Sequence, residues 1–132
     1  MQEELQFLRE QGVDHALIGK VEEFRRAHPV REGARDRVVQ PSIPFYGKEI
    51  LEMAVAALLE GSNLLLSGAK ATGKNILAEN LAWIFQRPVY NISFNVNTDS
   101  SSLIGTDTFR DNEVQLRKGS VYRCAEEGGF GI

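Results

Sequence analysis

The chain has 132 residues, which is enough for one domain. Of these residues, 42% are hydrophobic and 25% are charged. This is the composition of a folded globular protein, and it excludes a disordered tail. The net charge of −3 argues against a dedicated nucleic-acid binder, because such proteins usually carry a basic excess. A single cysteine, Cys124, excludes an internal disulfide and a multi-cysteine zinc site.

The sequence also lacks the features of a membrane or secreted protein. It has no apolar run of about 18 residues, the length that a membrane-spanning helix needs. Its N-terminus, MQEELQFLREQG, is polar and charged where a secretory signal would be apolar. We therefore expect a cytoplasmic protein that binds neither a membrane nor nucleic acid.

The N-terminal part is predicted to be helical. Helices are expected over residues 2–11 and 14–28, with Asp14 capping the second helix and Pro29 ending it. Residues 29–46 contain three prolines and mixed charge, which is typical of a linker.

The middle of the chain alternates between helical and strand-like patterns. A helix is expected over residues 47–60, with Gly61 at its C-terminal cap. The apolar run at 63–67 predicts a strand buried on both faces. A glycine turn follows, then a helix over 74–86 and an alternating strand over 89–94.

The C-terminal part continues with short elements. They are a helical turn at 98–103 capped by Thr98 or Asp99, a hairpin at 109–116 around Asp111-Asn112, a helix at 119–127 ended by Gly128-Gly129, and a third strand from Phe130. Strands that alternate with helices in this way predict a parallel sheet with right-handed crossovers.

The chemistry is predicted to lie in the glycine-rich turn, Gly68-Ala69-Lys70-Ala71-Thr72-Gly73-Lys74-Asn75. The pattern is GxxxxGK, followed by Asn where Ser or Thr is usual. Gly68 and Gly73 let the backbone turn so that successive N–H groups face an anion. The next helix begins at the loop, and its dipole favours negative charge there. Lys74 would reach the β- and γ-phosphates of a nucleotide as a point charge.

Asn75 occupies the position whose hydroxyl normally binds Mg²⁺. An amide oxygen can serve as a metal ligand, although it is bulkier than a hydroxyl and uncharged. We expect nucleotide to bind together with Mg²⁺, either directly at Asn75 or through water. The alternative is that Asn75 is a helix residue with no metal role.

Several features beside the loop resemble one branch of the AAA+ ATPases, the MoxR-type and midasin-like branch. The shared pattern consists of the phosphate loop, Pro88, the strand at 89–94, the polar stretch Asn97-Thr98-Asp99 and the turn Leu103-Ile104-Gly105. The resemblance runs from about residue 43 to residue 132. It implies an α/β fold with the parallel-sheet core of P-loop NTPases over 43–132, preceded by a helical extension and linker over 1–42.

The resemblance also implies a function and a set of partners. It implies ATP binding and hydrolysis, with ATP, ADP and Mg²⁺ as ligands, in a hexameric ring that remodels a client protein, often with a von Willebrand A-type partner. The segment before the first strand would contact the adenine base, here through Tyr46 and Gly47. The residues expected to bind the nucleotide are thus Tyr46, Gly47, Gly68, Ala69, Lys70, Ala71, Thr72, Gly73, Lys74, Asn75 and Ile76, with Lys74 as catalytic residue and Asn75 as metal ligand.

In that family the third strand continues into an acidic pair, and a polar sensor, an arginine finger and a helical lid follow. The sequence stops at Ile132, before these parts. We therefore expect an N-terminal fragment of such an ATPase, which binds nucleotide without hydrolysing it efficiently by itself. We also expect the strand at 63–67 to have bare edges, which makes the isolated chain marginal or prone to pair with another copy.

Two other functions remain open at this point. One is a small nucleotide or metabolite kinase of the P-loop class, although such enzymes usually carry the loop near the N-terminus and about 67 residues precede it here. The other is a non-catalytic interaction module that keeps the loop as part of its fold.

Overall fold

The computed structural model describes residues 3–132, so residue 2, where the first predicted helix begins, lies outside the described residues. Along the chain come α1 (Glu3–Glu10), α2 (His15–Ala27), a 3-10 helix (Glu32–Arg37), α3 (Lys48–Leu59), α4 (Lys74–Ile84), β1 (Val89–Tyr90), α5 (Ser100–Leu103), β2 (Gly105–Arg110), β3 (Glu113–Lys118), α6 (Ser120–Glu127) and β4 (Phe130–Gly131). Among these residues, every helix is too short or too polar to cross a membrane.

One hydrophobic core joins the first four α-helices. Helices α1 and α2 contribute apolar side chains to the same cluster as α3 and α4. Its buried members are Leu5, Leu8, Val13, Ile18, Val21, Leu51, Ala54, Val55, Leu77, Leu81, Ile84 and Phe85. The N-terminal helices are therefore built into the body of the protein, because the apolar faces of the four helices cover one another.

The predicted helix ends are confirmed where a local signal marks them. The Asp14 carboxylate accepts a hydrogen bond from the Ala16 N–H at 2.7 Å and so caps α2. Gly61 has the left-handed conformation expected after α3, with φ of 80°. Gly128 does the same after α6, with φ of 60°. Asp99, one of the two candidates, caps α5 in a reciprocal capping box with Ser102.

The expected fold class is wrong. A parallel P-loop sheet core was expected, but the described residues form a helix-rich, mixed α/β structure with two sheets of two strands each. Only β1 and β4 run parallel, with Val89 opposite Phe130 and Tyr90 opposite Gly131. Residues 63–67 form no helix or strand and pair with none of the described strands, and Leu65 is 93% exposed. The run is apolar enough for a buried strand, but it has no neighbour to accept its hydrogen bonds.

The second sheet is a hairpin longer than predicted. Strands β2 and β3 pair antiparallel from Gly105–Lys118 to Arg110–Glu113, and the turn is the expected Asp111-Asn112, with φ of 52° and 62°. The predicted linker also holds more structure than expected, because its 3-10 helix buries Ala34.

Two buried arginines connect the helices to one another. Arg25 on α2 binds Glu4 of α1 at 2.7 Å and donates to the Ile84 carbonyl at the end of α4. Burial lowers the pKa of the Arg25 guanidinium, and the Glu4 charge opposes that shift. Arg87, only 6% exposed, donates to the carbonyls of His28, Glu127 and Gly128 at 2.6–2.8 Å. It thus satisfies the C-terminal ends of α2 and α6 together.

We predict that Arg87→Met lowers the free energy of unfolding by about 3 kcal/mol, because three backbone carbonyls then lose the donor that joins the two helix ends. Urea unfolding followed by circular dichroism measures the change. Arg26→Met is the matched control, since Arg26 is exposed on α2, and it should shift stability by less than about 0.5 kcal/mol. Equal effects of the two substitutions would show that Arg87 does not hold the helix ends.

Candidate functional site: a phosphate-type loop at the start of α4

The predicted loop is present as a tight turn that leads directly into α4. Gly73 is the N-cap of the helix with φ of 87°, and no side chain caps this end among the described residues. Ala71 is also left-handed, with φ of 60°, whereas Thr72 between them is not. Such an alternation bends the backbone sharply and turns successive N–H groups toward the concave side. The first N–H groups of α4 remain available for an acceptor there.

Lys74 folds back over the loop that precedes it. Its ammonium group donates to the carbonyls of Gly68 at 2.9 Å and Ala69 at 2.5 Å, and it lies 3.3 Å from the Thr72 hydroxyl. The Thr72 hydroxyl in turn donates to the Ala69 carbonyl at 2.8 Å. The loop therefore surrounds the Lys74 ammonium group, and these hydrogen bonds keep its positive charge at the N-terminus of α4.

Two cavities border Lys74. One, of about 270 Å³, lies between the loop and Phe45, with Leu66 and Leu77 in its wall. The other, of about 760 Å³, separates the unpaired segment at 63–67 from the β1–β4 sheet, and Asn75 lines it. Both are walled mainly by apolar groups, with hydroxyl side chains in the smaller cavity and amide side chains in the larger one, and Lys74 is the charged side chain that they share.

Phe45, rather than Tyr46, is the aromatic residue beside the loop. A methyl group placed on Gly73 would lie 3.9 Å from the Phe45 ring. Tyr46 points away and packs edge-to-face on Phe7 of α1, with ring centroids 5.8 Å apart, and remains 74% exposed. Gly47 is the N-cap of α3. The structure thus brings Gly68–Asn75 together with Phe45, and it does not bring Tyr46 to the loop.

A buried polar side chain outside the predicted loop holds the Phe45 backbone in place. Asn80 on α4 is fully buried, and its amide donates to the carbonyls of Ile43 and Ile76 at 2.9 and 2.8 Å. Its oxygen accepts from the Phe45 N–H at 3.2 Å. The available signal was an asparagine on the apolar face of α4, where burial requires hydrogen-bond partners.

Gln11 holds the same segment from the other side. Its amide donates to the Phe45 carbonyl at 3.0 Å, and its oxygen accepts from the Gly47 N–H at 2.9 Å. The chain before α3 is therefore fixed against both α1 and α4. This places the Phe45 ring beside the loop without any strand pairing.

The remaining predicted residues lie on the loop or on the first turn of the helix. Lys70 is exposed at the tip of the turn, Asn75 is exposed at the edge of the larger cavity, and Ile76 is half-buried. Nothing in the arrangement tests the metal role of Asn75, which stays a prediction.

Comparison with known proteins finds relatives among bacterial proteins of greater length. "Uncharacterized protein YojN" of Bacillus subtilis is 33% identical over 85 residues, which cover 61% of this chain and 28% of that protein. "Uncharacterized protein SERP0979" of Staphylococcus epidermidis is 31% identical over 84 residues, covering 60% and 32%. The chain thus spans less than a third of the length of these relatives. No family model and no solved structure matches it.

These comparisons contradict the resemblance to the MoxR-type and midasin-like AAA+ ATPases. The relatives carry no such name, and no model of that family matches the chain. The motif pieces that suggested the branch are short, and Leu103-Ile104-Gly105 is the end of α5 and the start of the hairpin. The hexameric ring, the client protein and the von Willebrand A-type partner that it implied stay untested predictions.

We predict that Asn80→Leu lowers the free energy of unfolding by about 2–4 kcal/mol and speeds hydrogen exchange at the Phe45 amide. The substitution keeps the volume but leaves the Phe45 N–H and the Ile43 carbonyl without their partner. Amide exchange followed by NMR measures the local effect. Glu79→Leu, at the neighbouring exposed position, is the control and should leave that amide protected. Unchanged protection in Asn80→Leu would refute this role.

Proposed function

We propose that this chain binds the phosphate groups of ATP or ADP in the loop Gly68–Asn75. The observation that carries the proposal is the position of the Lys74 ammonium inside a turn that ends at the uncapped N-terminus of α4. A lysine charge, a helix dipole and free N–H groups then act on one point, which is the chemistry that attracts a phosphate.

Binding of a nucleotide would give the Lys74 ammonium new hydrogen-bond acceptors. The lysine now donates to two uncharged carbonyls, and phosphate oxygens would replace them with stronger, charge-assisted hydrogen bonds. The base would then lie on the side of Phe45, in the cavity that borders both the ring and Lys74. Mg²⁺ would be held by the phosphates, with Asn75 as a direct or water-mediated ligand.

We expect slow hydrolysis by this chain alone. Among the described residues, apolar, hydroxyl and amide side chains line the cavities beside Lys74, rather than a carboxylate side chain that could activate water. Phosphoryl transfer depends on positioning and charge, and one lysine supplies only part of both. We further propose a cytoplasmic location, in keeping with the single free thiol at Cys124.

A second candidate is a binding module in which the loop serves the fold alone. The specific observation in its favour is that the Lys74 ammonium already has hydrogen-bond partners within the loop. They are the carbonyls of Gly68 and Ala69 and the hydroxyl of Thr72. Under this alternative no nucleotide binds, and Lys74 stabilises the turn.

We predict saturable binding of a fluorescent ATP analogue that Lys74→Ala weakens by about 10- to 100-fold, the value of one or two charge-assisted hydrogen bonds. Lys20→Ala removes the same charge from the exposed side of α2, outside the loop, and should change affinity less than about threefold. Tripolyphosphate should compete, whereas adenosine should not. Absence of binding would favour the structural role, and rapid phosphate release abolished by Lys74→Ala would contradict slow hydrolysis.

We predict that Asn75→Ser increases the ratio of the ATP affinity with Mg²⁺ to the affinity without Mg²⁺ by about tenfold. The reason is that a small hydroxyl approaches the metal more closely than an amide does. Affinity is measured with and without Mg²⁺ for both proteins. Glu79→Gln, also on the exposed side of α4, controls for an indirect effect of helix surface changes. If Asn75→Ser leaves the Mg²⁺ dependence unchanged, this position has no metal role.

A further inference from the structure

A second concentration of positive charge lies on the side of the protein that carries β1 and the base of the hairpin. Four cationic side chains line one cavity of about 260 Å³ there, although the chain as a whole has a net charge of −3. They are Arg37, Arg117, Lys118 and Arg123, and the remaining lining residues are Tyr90, Asn91 and Ser120. Within residues 3–132, no carboxylate side chain lines this cavity.

Three of these four cations have no acidic partner within 4.0 Å among residues 3–132. Lys118 is paired, because its ammonium binds both oxygens of Glu126 at 2.7 and 2.9 Å. Arg37 lies over the Tyr90 ring, 4.5 Å from its centroid, and makes a long hydrogen bond of 3.4 Å to the Val89 carbonyl. Arg117 and Arg123 are exposed. Their like charges repel unless an anion lies between them.

The backbone holds this cluster in position. A methyl group on Gly105 would lie 2.3 Å from the Arg117 carbonyl, and one on Gly119 would lie 2.3 Å from the Leu103 carbonyl. The Gly119 N–H also donates to the Ile104 carbonyl at 2.9 Å. Because only glycine fits at both positions, the end of β3 and the start of α6 are fixed against the end of α5. Arg117 therefore reaches the cavity from the hairpin and Arg123 from the helix.

The start of α6 adds hydrogen-bond donors to the same cavity. Gly119 is its N-cap and no described side chain caps this end, so the first N–H groups and the Ser120 hydroxyl are available to an acceptor. Ser120 and Arg123, one turn apart, lie on the same side of the helix. Tyr90, nearly buried, forms an aromatic wall behind them.

We propose that this cavity binds a small organic phosphate, a phosphomonoester dianion held between Arg37, Arg117 and Arg123. Guanidinium groups match the oxygens of phosphate in paired hydrogen bonds, which an ammonium does not. The volume lies just below the range of drug-sized pockets, so it admits one phosphate with a small body such as a sugar. The net acidity of the chain disfavours an extended polyanion such as nucleic acid.

The test uses titration calorimetry with ribose 5-phosphate, and with ribose as the uncharged control. It is carried out in Lys74→Ala protein, so that the loop at Gly68–Asn75 cannot supply the signal. This keeps the outcome separate from that of the proposed ATP site. Arg117→Gln and Arg123→Gln should each weaken binding about tenfold, the value of a hydrogen bond to a charged group.

Arg110→Gln is the matched control. Arg110 lies on the same hairpin face as Arg117 but outside the cavity, so affinity should stay within about twofold. Circular dichroism melting checks that each variant is folded. Absence of ribose 5-phosphate binding, or equal losses in all three variants, would overturn the proposal. Tighter binding of a single-stranded oligonucleotide, lost in the same variants, would overturn it in favour of nucleic acid.

Discussion

The arrangement of this protein depends on the buried guanidinium group of Arg87. A helix leaves its last carbonyls without partners, and here the ends of α2 and α6 both lie beside the buried Arg87 side chain. Arg87 donates to carbonyls from both ends at 2.6–2.8 Å. Burial lowers the pKa of Arg87 and the Glu127 charge opposes this, yet an arginine remains charged at neutral pH. Since β1 begins two residues later, the same contact sets where the parallel β1–β4 pair can form.

Side-chain hydrogen bonds fix the segments between the helices in this protein, a role that strand pairing has in a larger sheet. Asn80 and Gln11 together bind the backbone of residues 43–47, and Arg25 joins α1, α2 and the end of α4. Each group is polar and wholly or partly buried, so each is stable only while all its partners are present. The body of the protein is therefore held by helix packing and a few polar contacts. The β1–β4 sheet adds Phe130 to the edge of that core, whereas the β2–β3 hairpin is almost wholly exposed.

The sequence predicts what depends on neighbouring residues and fails where structure depends on distant ones. Asp14, Gly61, Asp111-Asn112 and Gly128 each mark an end or a turn because their own chemistry requires it, and the structure places each as expected. The segment at 63–67 was assigned as a strand from its apolar character, but a strand exists only through its partner. Asn80 was overlooked because its hydrogen-bond partners at 43 and 45 are distant in sequence.

The same distinction applies within the candidate site, between the loop itself and the aromatic residues beside it. The loop follows from local geometry, since Gly68, Gly73 and Lys74 lie within one turn and its helix. The position of Tyr46 in the chain predicts that its ring lies at the loop, but the ring packs against Phe7 on α1. Asn80 instead holds the backbone of Phe45, whose ring lies beside the loop. Both contacts join residues 45–46 to helices that are distant in sequence, α1 before them and α4 after them. These helices therefore decide which aromatic ring lines the cavity beside Lys74. The geometry of the loop is thus set by its own residues, whereas the residues that surround it are set by the packing of distant parts of the chain.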